Sequence, residues 1–335
     1  MAIQWHSSSG GFVMSAQIIG DIQFYDEHPK PVDFYAEVIN GLQRTPKLIP
    51  PKFFYDETGS RLFDAICEVP EYYPTRTEMA LLYEHADEIA ALISKECLLI
   101  EPGSGSSQKV RLLLDALQPA AYMPMDISRA HLLNAAQQLS EDYPWLEVHA
   151  TCIDFTTEMK LHFCPPSVHK VAFFPGSSIG NFEPADAIGF LRNMANMVGV
   201  GGGLLIGVDL KKNQTILDAA YNDAQGVTAE FNLNLLTRIN HELAGRFDLD
   251  TFRHKAFYNP HMGRIEMHLS SRNHQTVTVG AEAINFNEGE TIHTENSYKY
   301  TIEEFSCLAQ LAGFELVTVW TDTDDLFSLH YYQVS

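Results

Sequence analysis

The segment Ile100-Glu101-Pro102-Gly103-Ser104-Gly105-Ser106-Ser107-Gln108 sets a carboxylate just ahead of two closely spaced glycines. A dinucleotide fingerprint, G-x-G-x-x-G, needs a third glycine so that the next helix can pack tightly beneath a pyrophosphate, and here that place is Gln108. A nicotinamide cofactor is therefore disfavoured. Glu101 would repel a pyrophosphate but would favour a ligand that carries an ammonium or sulfonium group.

The spacing E-x-G-x-G matches the first-loop pattern of S-adenosylmethionine (SAM) methyltransferases; a simple tight turn is the alternative. Two more acids extend the pattern. Asp126 closes Tyr122-Met123-Pro124-Met125-Asp126, where a carboxylate can accept from a ribose diol, and Asp154-Phe155 places an acid beside an aromatic ring, suited to an adenine. Either acid alone could be a helix cap or a loop residue. Three acids at three consecutive strand ends make a set. Lys109, just inside the following helix, is placed either to pair with a cofactor carboxylate or to lie in solvent.

A second group has the types needed to hold an amino acid. In Pro175-Gly176-Ser177-Ser178-Ile179-Gly180-Asn181, Gly176 permits close backbone approach and Asn181 offers one donor and one acceptor; a turn with Asn181 as cap is the alternative. Pro70-Glu71-Tyr72-Tyr73-Pro74 reads as a stiff wall, because proline fixes φ and restricts its predecessor. If Thr294-Glu295-Asn296-Ser297 is extended, Glu295 and Ser297 share a face. Glu295 could then accept from an imidazole N–H while Ser297 makes a second hydrogen bond; a solvated strand face is the alternative.

The elements that must position these groups alternate. Strands are expected at 98–101, 121–126, 148–151, 171–174 and 204–210, with helices at 107–117, 128–139 and 184–197, which implies a parallel, doubly wound α/β sheet with ligands at its carboxyl ends. A helix capped by Thr77 should run to about Ile93. After Lys212 the period breaks into a long helical stretch to Leu243 and strands at 264–270 and 276–279. A helix at 302–312 and strands at 315–320 and 327–332 should close the sheet antiparallel. The expected division is a flexible leader at 1–20, a substrate-binding domain from 21–77 plus 212–299, and a methyltransferase domain from 78–211 plus 300–335.

Composition narrows the partners. Of 335 residues, 22 are Lys or Arg and 43 Asp or Glu, a formal charge of −21, which would repel a phosphate backbone or an anionic membrane. No apolar stretch approaches the roughly 20 residues of a spanning helix. Five cysteines without a C-x-x-C pair argue against a disulfide framework or zinc knuckle and fit a reducing cytoplasm. The 14 histidines show no H-E-x-x-H spacing, and no metal is expected.

Taken together, Phe53-Phe54-Tyr55-Asp56-Glu57-Thr58-Gly59-Ser60, Pro70 to Glu78, the Glu101 loop, Pro175 to Asn181, Ala220-Tyr221-Asn222-Asp223, Arg264-Ile265-Glu266-Met267 and Thr294 to Ser297 resemble the histidine Nα-methyltransferases of ergothioneine biosynthesis. The likeness spans about residues 40–330. It implies a Rossmann-like class I methyltransferase sheet joined to a second α+β domain built from the N-terminal segment and the insertion. It further implies that Tyr55, Asn181 and Tyr221 are catalytic, and that Tyr72, Gly176, Asn181, Tyr221, Phe231, Met267, Glu295 and Ser297 hold L-histidine and its methylated intermediates. Tyr55, Glu101, Gly103, Lys109, Asp126, Asp154 and Phe155 would hold SAM, leaving S-adenosylhomocysteine as product. Pro102 and Asn296 are less usual against the family pattern. The likeness also suggests a monomer.

Methyl transfer from a sulfonium is an in-line displacement that needs an unprotonated amine held ~3–3.5 Å from the methyl. A quaternary ammonium can no longer attack, so three methylations end at trimethylhistidine (hercynine), and the faces of Tyr55 and Tyr72 could take up the growing cation. Two rival readings are an N-methyltransferase for another amino acid or small amine, and a non-catalytic binding protein that keeps the fold.

Overall fold

The computed structural model describes residues 16–335 except 28–33, 94, 157–158, 160 and 166–167. It begins with β1 (Gln17–Ile19) and β2 (Ile22–Asp26), then α1 (Phe34–Gln43), β3 (Lys47–Leu48), α2 (Glu57–Glu68), α3 (Tyr73–Glu84) and α4 (Ala86–Ile93). Alternation follows through β4 (Leu98–Pro102), α5 (Gln108–Leu117), β5 (Ala121–Asp126), α6 (Arg129–Asp142), β6 (Glu147–Cys152), β7 (Lys170–Phe174), α7 (Pro184–Val198) and β8 (Gly203–Asp209). Next come α8 (Gln214–Ala220), α9 (Val227–Glu242), β9 (Phe252–Asn259), β10 (Arg264–Ser271), β11 (Gln275–Val279), β12 (Glu282–Phe286) and β13 (Thr291–Tyr298). The chain closes with α10 (Ile302–Leu311), β14 (Phe314–Thr321) and β15 (Phe327–Val334).

Among the described residues, nine strands form one sheet in the order β1-β2-β6-β5-β4-β7-β8-β15-β14. Strands β2 to β8 pair in parallel, whereas β15 is antiparallel to both β8 and β14. β4 and β8 are buried along their whole length, as strands covered on both faces must be. Successive residues of β4 feed opposite cores: Leu99 packs with Leu113, Leu132 and Phe327, and Ile100 with Phe174, Leu191 and Phe305. Strand order reverses beside β4, which leaves a crevice at the carboxyl ends of β4 and β7.

A second sheet, β3-β13-β10-β9, and the β11–β12 ribbon form the other part. Its core gathers Phe54, Phe231, Leu235, Phe252 and Ile265. Asp56 caps α2 by accepting from Gly59 N–H at 2.6 Å, and Thr301 with Glu304 forms a capping box at α10, each satisfying backbone donors that a helix start leaves open.

Four features differ from the sequence expectation. The first fifteen residues of the expected leader lie outside the described residues, but Gln17–Ile19 is a strand, and β2 pairs in parallel with β6. Ile22 and Phe24 are buried there, so residues 17–26 cover an edge of the large sheet rather than joining the leader or the substrate part. The helix expected from Thr77 starts at Tyr73, because Pro74 occupies the first turn, where a missing N–H costs nothing; it breaks at His85 before α4. The long helix after Lys212 divides at Tyr221–Gly226, where Asp223 accepts from Val227 and Thr228 N–H and starts α9 anew. β9 and β12 add strands that the sequence pattern did not mark.

Candidate active site

At the carboxyl end of β4, Glu101 is buried and accepts from Tyr122 OH at 2.5 Å. Burial pushes its carboxyl up to about 8, against the pull of Tyr122 and Lys109. Gly103 has φ +69°, and a side chain there would meet the Phe155 ring at 3.2 Å, so a glycine is what lets Phe155 lie over the loop. Asp126, at the end of β5, accepts from Gly105 N–H at 3.1 Å and Ser128 N–H at 2.8 Å, and burial raises its pKa. Asp154 accepts from Thr156 N–H at 3.0 Å and has Lys52 Nζ 3.7 Å away.

Lys109 is not a solvated helix lysine. Its Nζ lies 2.6 Å from Glu78 Oε2, a carboxylate with no exposure, whose two oxygens also accept from Gly176 N–H at 2.9 and 2.8 Å. Glu78 thus joins α3, α5 and the loop after β7.

The β4, β5 and β6 ends, Lys109 and Gly176 line one cavity of about 1310 Å³ between the two parts, with Glu78 just behind it. That exceeds the ~300–1,000 Å³ of a usual small-molecule site and leaves room for two molecules side by side. Glu101, Gly103, Lys109, Asp126, Asp154 and Phe155 lie at one end; Tyr55, Tyr72, Gly176, Asn181 and Glu295 also line it. A recess of about 30 Å³ adjoins them and adds Tyr221, Ser297, Lys299 and Asp209. Glu295 and Ser297 do share a face of β13, and the edge of one ring meets the other where Tyr72 and Tyr221 pack at 6.1 Å. The side chains of Glu295 and Asn181 have no hydrogen-bond partner among the described residues, and burial pushes the Glu295 carboxyl up to about 7 despite Lys299. Such groups are poised for a ligand.

Phe231 and Met267 do not reach the cavity. Both are buried in the second core, where Phe231 stacks on Phe54 at 4.5 Å and backs Tyr55 at 5.9 Å. Their contribution is support for the wall rather than the wall itself.

Sequence reasoning missed Glu78, Asp209 and Lys299. Lys299 carried a usable signal: the alternation that pairs Glu295 with Ser297 continues two residues to it. Glu266, His268 and His293 bring ligand-type atoms within 4.8 Å of one another, a proximity their sequence spacing does not mark. There Arg264 Nη2 is 2.9 Å from Glu266 Oε1, and burial with His293 holds His268 down at about 4.

The family described as histidine-specific methyltransferase, SAM-dependent, matches residues 34–334. The chain belongs to that family. SAM is accordingly its methyl donor. The chain is 40% identical over 299 residues to a histidine N-alpha-methyltransferase of Mycobacterium tuberculosis (strain CDC 1551 / Oshkosh), covering 88% of this chain and 92% of that one. It is 42% identical to the histidine N-alpha-methyltransferase of Mycolicibacterium smegmatis (strain ATCC 700084 / mc(2)155), with the same coverage. Ergothioneine biosynthesis protein 1 of Neurospora crassa is 32% identical over 306 residues, 85% of this chain and 33% of that protein. Among the described residues no helix of this methyltransferase is long and apolar enough to cross a membrane.

Proposed function

We propose that this methyltransferase transfers methyl groups from SAM to the α-amine of L-histidine, up to three times, giving hercynine for ergothioneine biosynthesis. The observation that carries the substrate is Glu295: a half-buried carboxylate without a hydrogen-bond partner among the described residues, beside Ser297, opening into the same cavity as Glu101 and Asp126. Relatives named as histidine N-alpha-methyltransferases and as ergothioneine biosynthesis protein 1 support the product and its use.

In this reading Glu101, Gly103, Asp126, Asp154 and Phe155 hold SAM, and Lys109 faces its carboxylate. When bound, SAM supplies an electrophilic methyl on a sulfonium. Asn181, Tyr221 and the backbone at Gly176 fix the carboxylate and amine of histidine, while Tyr72, Glu295 and Ser297 receive the imidazole. Tyr55, at the junction of the two ends, directs the amine and offers its ring to the accumulating positive charge, a contact worth ~0.5–2 kcal/mol. Positioning is the main catalytic effect, since the amine needs only to be unprotonated and aligned.

Mass spectrometry of the protein incubated with SAM and the twenty common amino acids tests this reading. Histidine gaining one, two and three methyls supports it; methylation of another amino acid alone would overturn the substrate assignment, and no product would overturn the enzyme reading.

A further inference from the structure

One buried residue sets the proton directions at the inner end of the cavity. Lys299 follows β13 and is 2% exposed. Its Nζ lies 2.6 Å from Asp209 Oδ2 and donates to Ser297 Oγ at 2.8 Å and to Tyr221 OH at 3.1 Å. Tyr221 OH in turn donates to Ser297 Oγ at 2.8 Å. A hydroxyl has two acceptor positions and one proton. Ser297 Oγ is therefore filled as an acceptor, and towards the cavity it can only donate.

The arrangement is locked from behind. Asp209 Oδ1 accepts from Tyr73 OH at 2.6 Å and from Lys212 Nζ at 2.5 Å, and Lys212 also donates to the Leu210 carbonyl at 2.5 Å. Burial would by itself neutralise both members of the Lys299–Asp209 pair, but their opposite charges keep Asp209 below and Lys299 above their ordinary ranges. The donor pattern consequently holds across neutral pH.

Two residues before Ser297, on the same face, Glu295 offers a carboxyl oxygen as acceptor whether it is ionised or protonated. The pair thus presents one acceptor and one donor. We infer that Lys299, acting through Ser297 and Tyr221, makes the site select a neutral imidazole in a single tautomer, N–H toward Glu295 and bare nitrogen toward Ser297, and reject imidazolium. This rests on the histidine reading of the site. An imidazolium carries two N–H donors and no acceptor, so one of them would meet the Ser297 proton. The titratable or charged groups lining this end are Glu295 and Lys299 at β13, Asp209 at the end of β8, Tyr221 after α8, Tyr72 before α3 and Tyr55 before α2. Of these, Glu295 alone is an uncompensated attraction for the cation, because Asp209 is matched by Lys299 and Lys212.

The test is nitrogen NMR of L-histidine labelled with ¹⁵N in the ring and bound to the protein with S-adenosylhomocysteine, between pH 5.5 and 8. One protonated and one bare ring nitrogen at pH 6, with the bound ring titrating below the ~6.5 of free imidazole, is the expected result. In Lys299→Met a lone pair on Ser297 is released, so the bound ring should titrate above its free value and carry two protons at pH 6. Ser297→Ala, which removes the donor itself, should do the same and serves if Lys299→Met does not fold. A doubly protonated ring in the parent protein at pH 6 and above overturns the inference and leaves the histidine reading standing, as does an unmoved ring titration in a folded variant. No bound histidine signal at any pH overturns the histidine reading and takes this inference with it.

Discussion

Glu78 Oε2 lies 2.6 Å from Lys109 Nζ, an ion pair in which the carboxylate has no exposure to solvent. A single residue in the middle of α3 thereby fixes the lysine in the first turn of α5 and the backbone at Gly176. Removing one partner of a buried pair leaves an uncompensated charge, so Glu78→Ala is expected to destabilise the fold by ~3–5 kcal/mol. Urea denaturation measures that loss. Glu78→Gln, which keeps the shape and one acceptor, should lose less stability but still raise the KM for SAM, because Lys109 is then free to turn away.

Glu78 fits only because position 207 has no side chain. A Cβ on Gly207 would sit 1.9 Å from Glu78 Oε1, well inside any permitted contact. Gly207→Ala is therefore expected to cost at least ~1–3 kcal/mol through overpacking. In the double variant with Glu78→Ala the contact with the carboxylate is gone and only the milder approach to Phe327 Cε1 at 2.9 Å remains, so the two losses should combine to less than their sum; additive losses in a double-mutant cycle would contradict the contact.

Glu295 should make the ligand-free protein weaker as pH rises. Its folded pKa, about 7, lies above the ordinary 4.5 because burial penalises the charged form. Between these values the folded chain binds more protons than the unfolded chain, so this group's contribution to stability falls as pH rises from about 4.5 to 7 and then stays low. Glu295→Gln should accordingly be more stable than the parent at pH 8, by ~1–3 kcal/mol, and show little difference at pH 4.5. Thermal melts at the two pH values decide it, and the same variant should bind histidine far more weakly.

Tyr221→Phe tests the hydroxyl that bridges Lys299 and Ser297. The ring stays against Tyr72, so the melting temperature should change little. Losing one hydrogen bond within a charged network is expected to lower kcat/KM for histidine by about ten- to a hundredfold, equivalent to ~1.4–2.7 kcal/mol. Steady-state kinetics with histidine varied at saturating SAM reads this, and an unchanged KM for SAM would confine the effect to the inner end of the cavity.

The alternation of strands and helices, the acids Glu101, Asp126 and Asp154 at three strand ends, and the shared face of Glu295 and Ser297 were all legible from sequence. Each follows from a local rule: hydrophobic runs of fixed length, or the period of two along a strand. The start of α3 at Tyr73 was misplaced because a proline that stiffens a loop equally well opens a helix. What only the tertiary structure decided are relationships between distant segments. Glu78 finds Lys109, Gly176 and Gly207 across three elements, Lys299 reaches Asp209 and Tyr221 from just past the end of β13, and Phe231 and Met267 turn into the second core instead of the cavity. β1 and β2 likewise join the large sheet because β6 offers an unpaired edge. Buried charges and close contacts of this kind have no local periodicity, since their partners are chosen by how the two parts of the chain pack together.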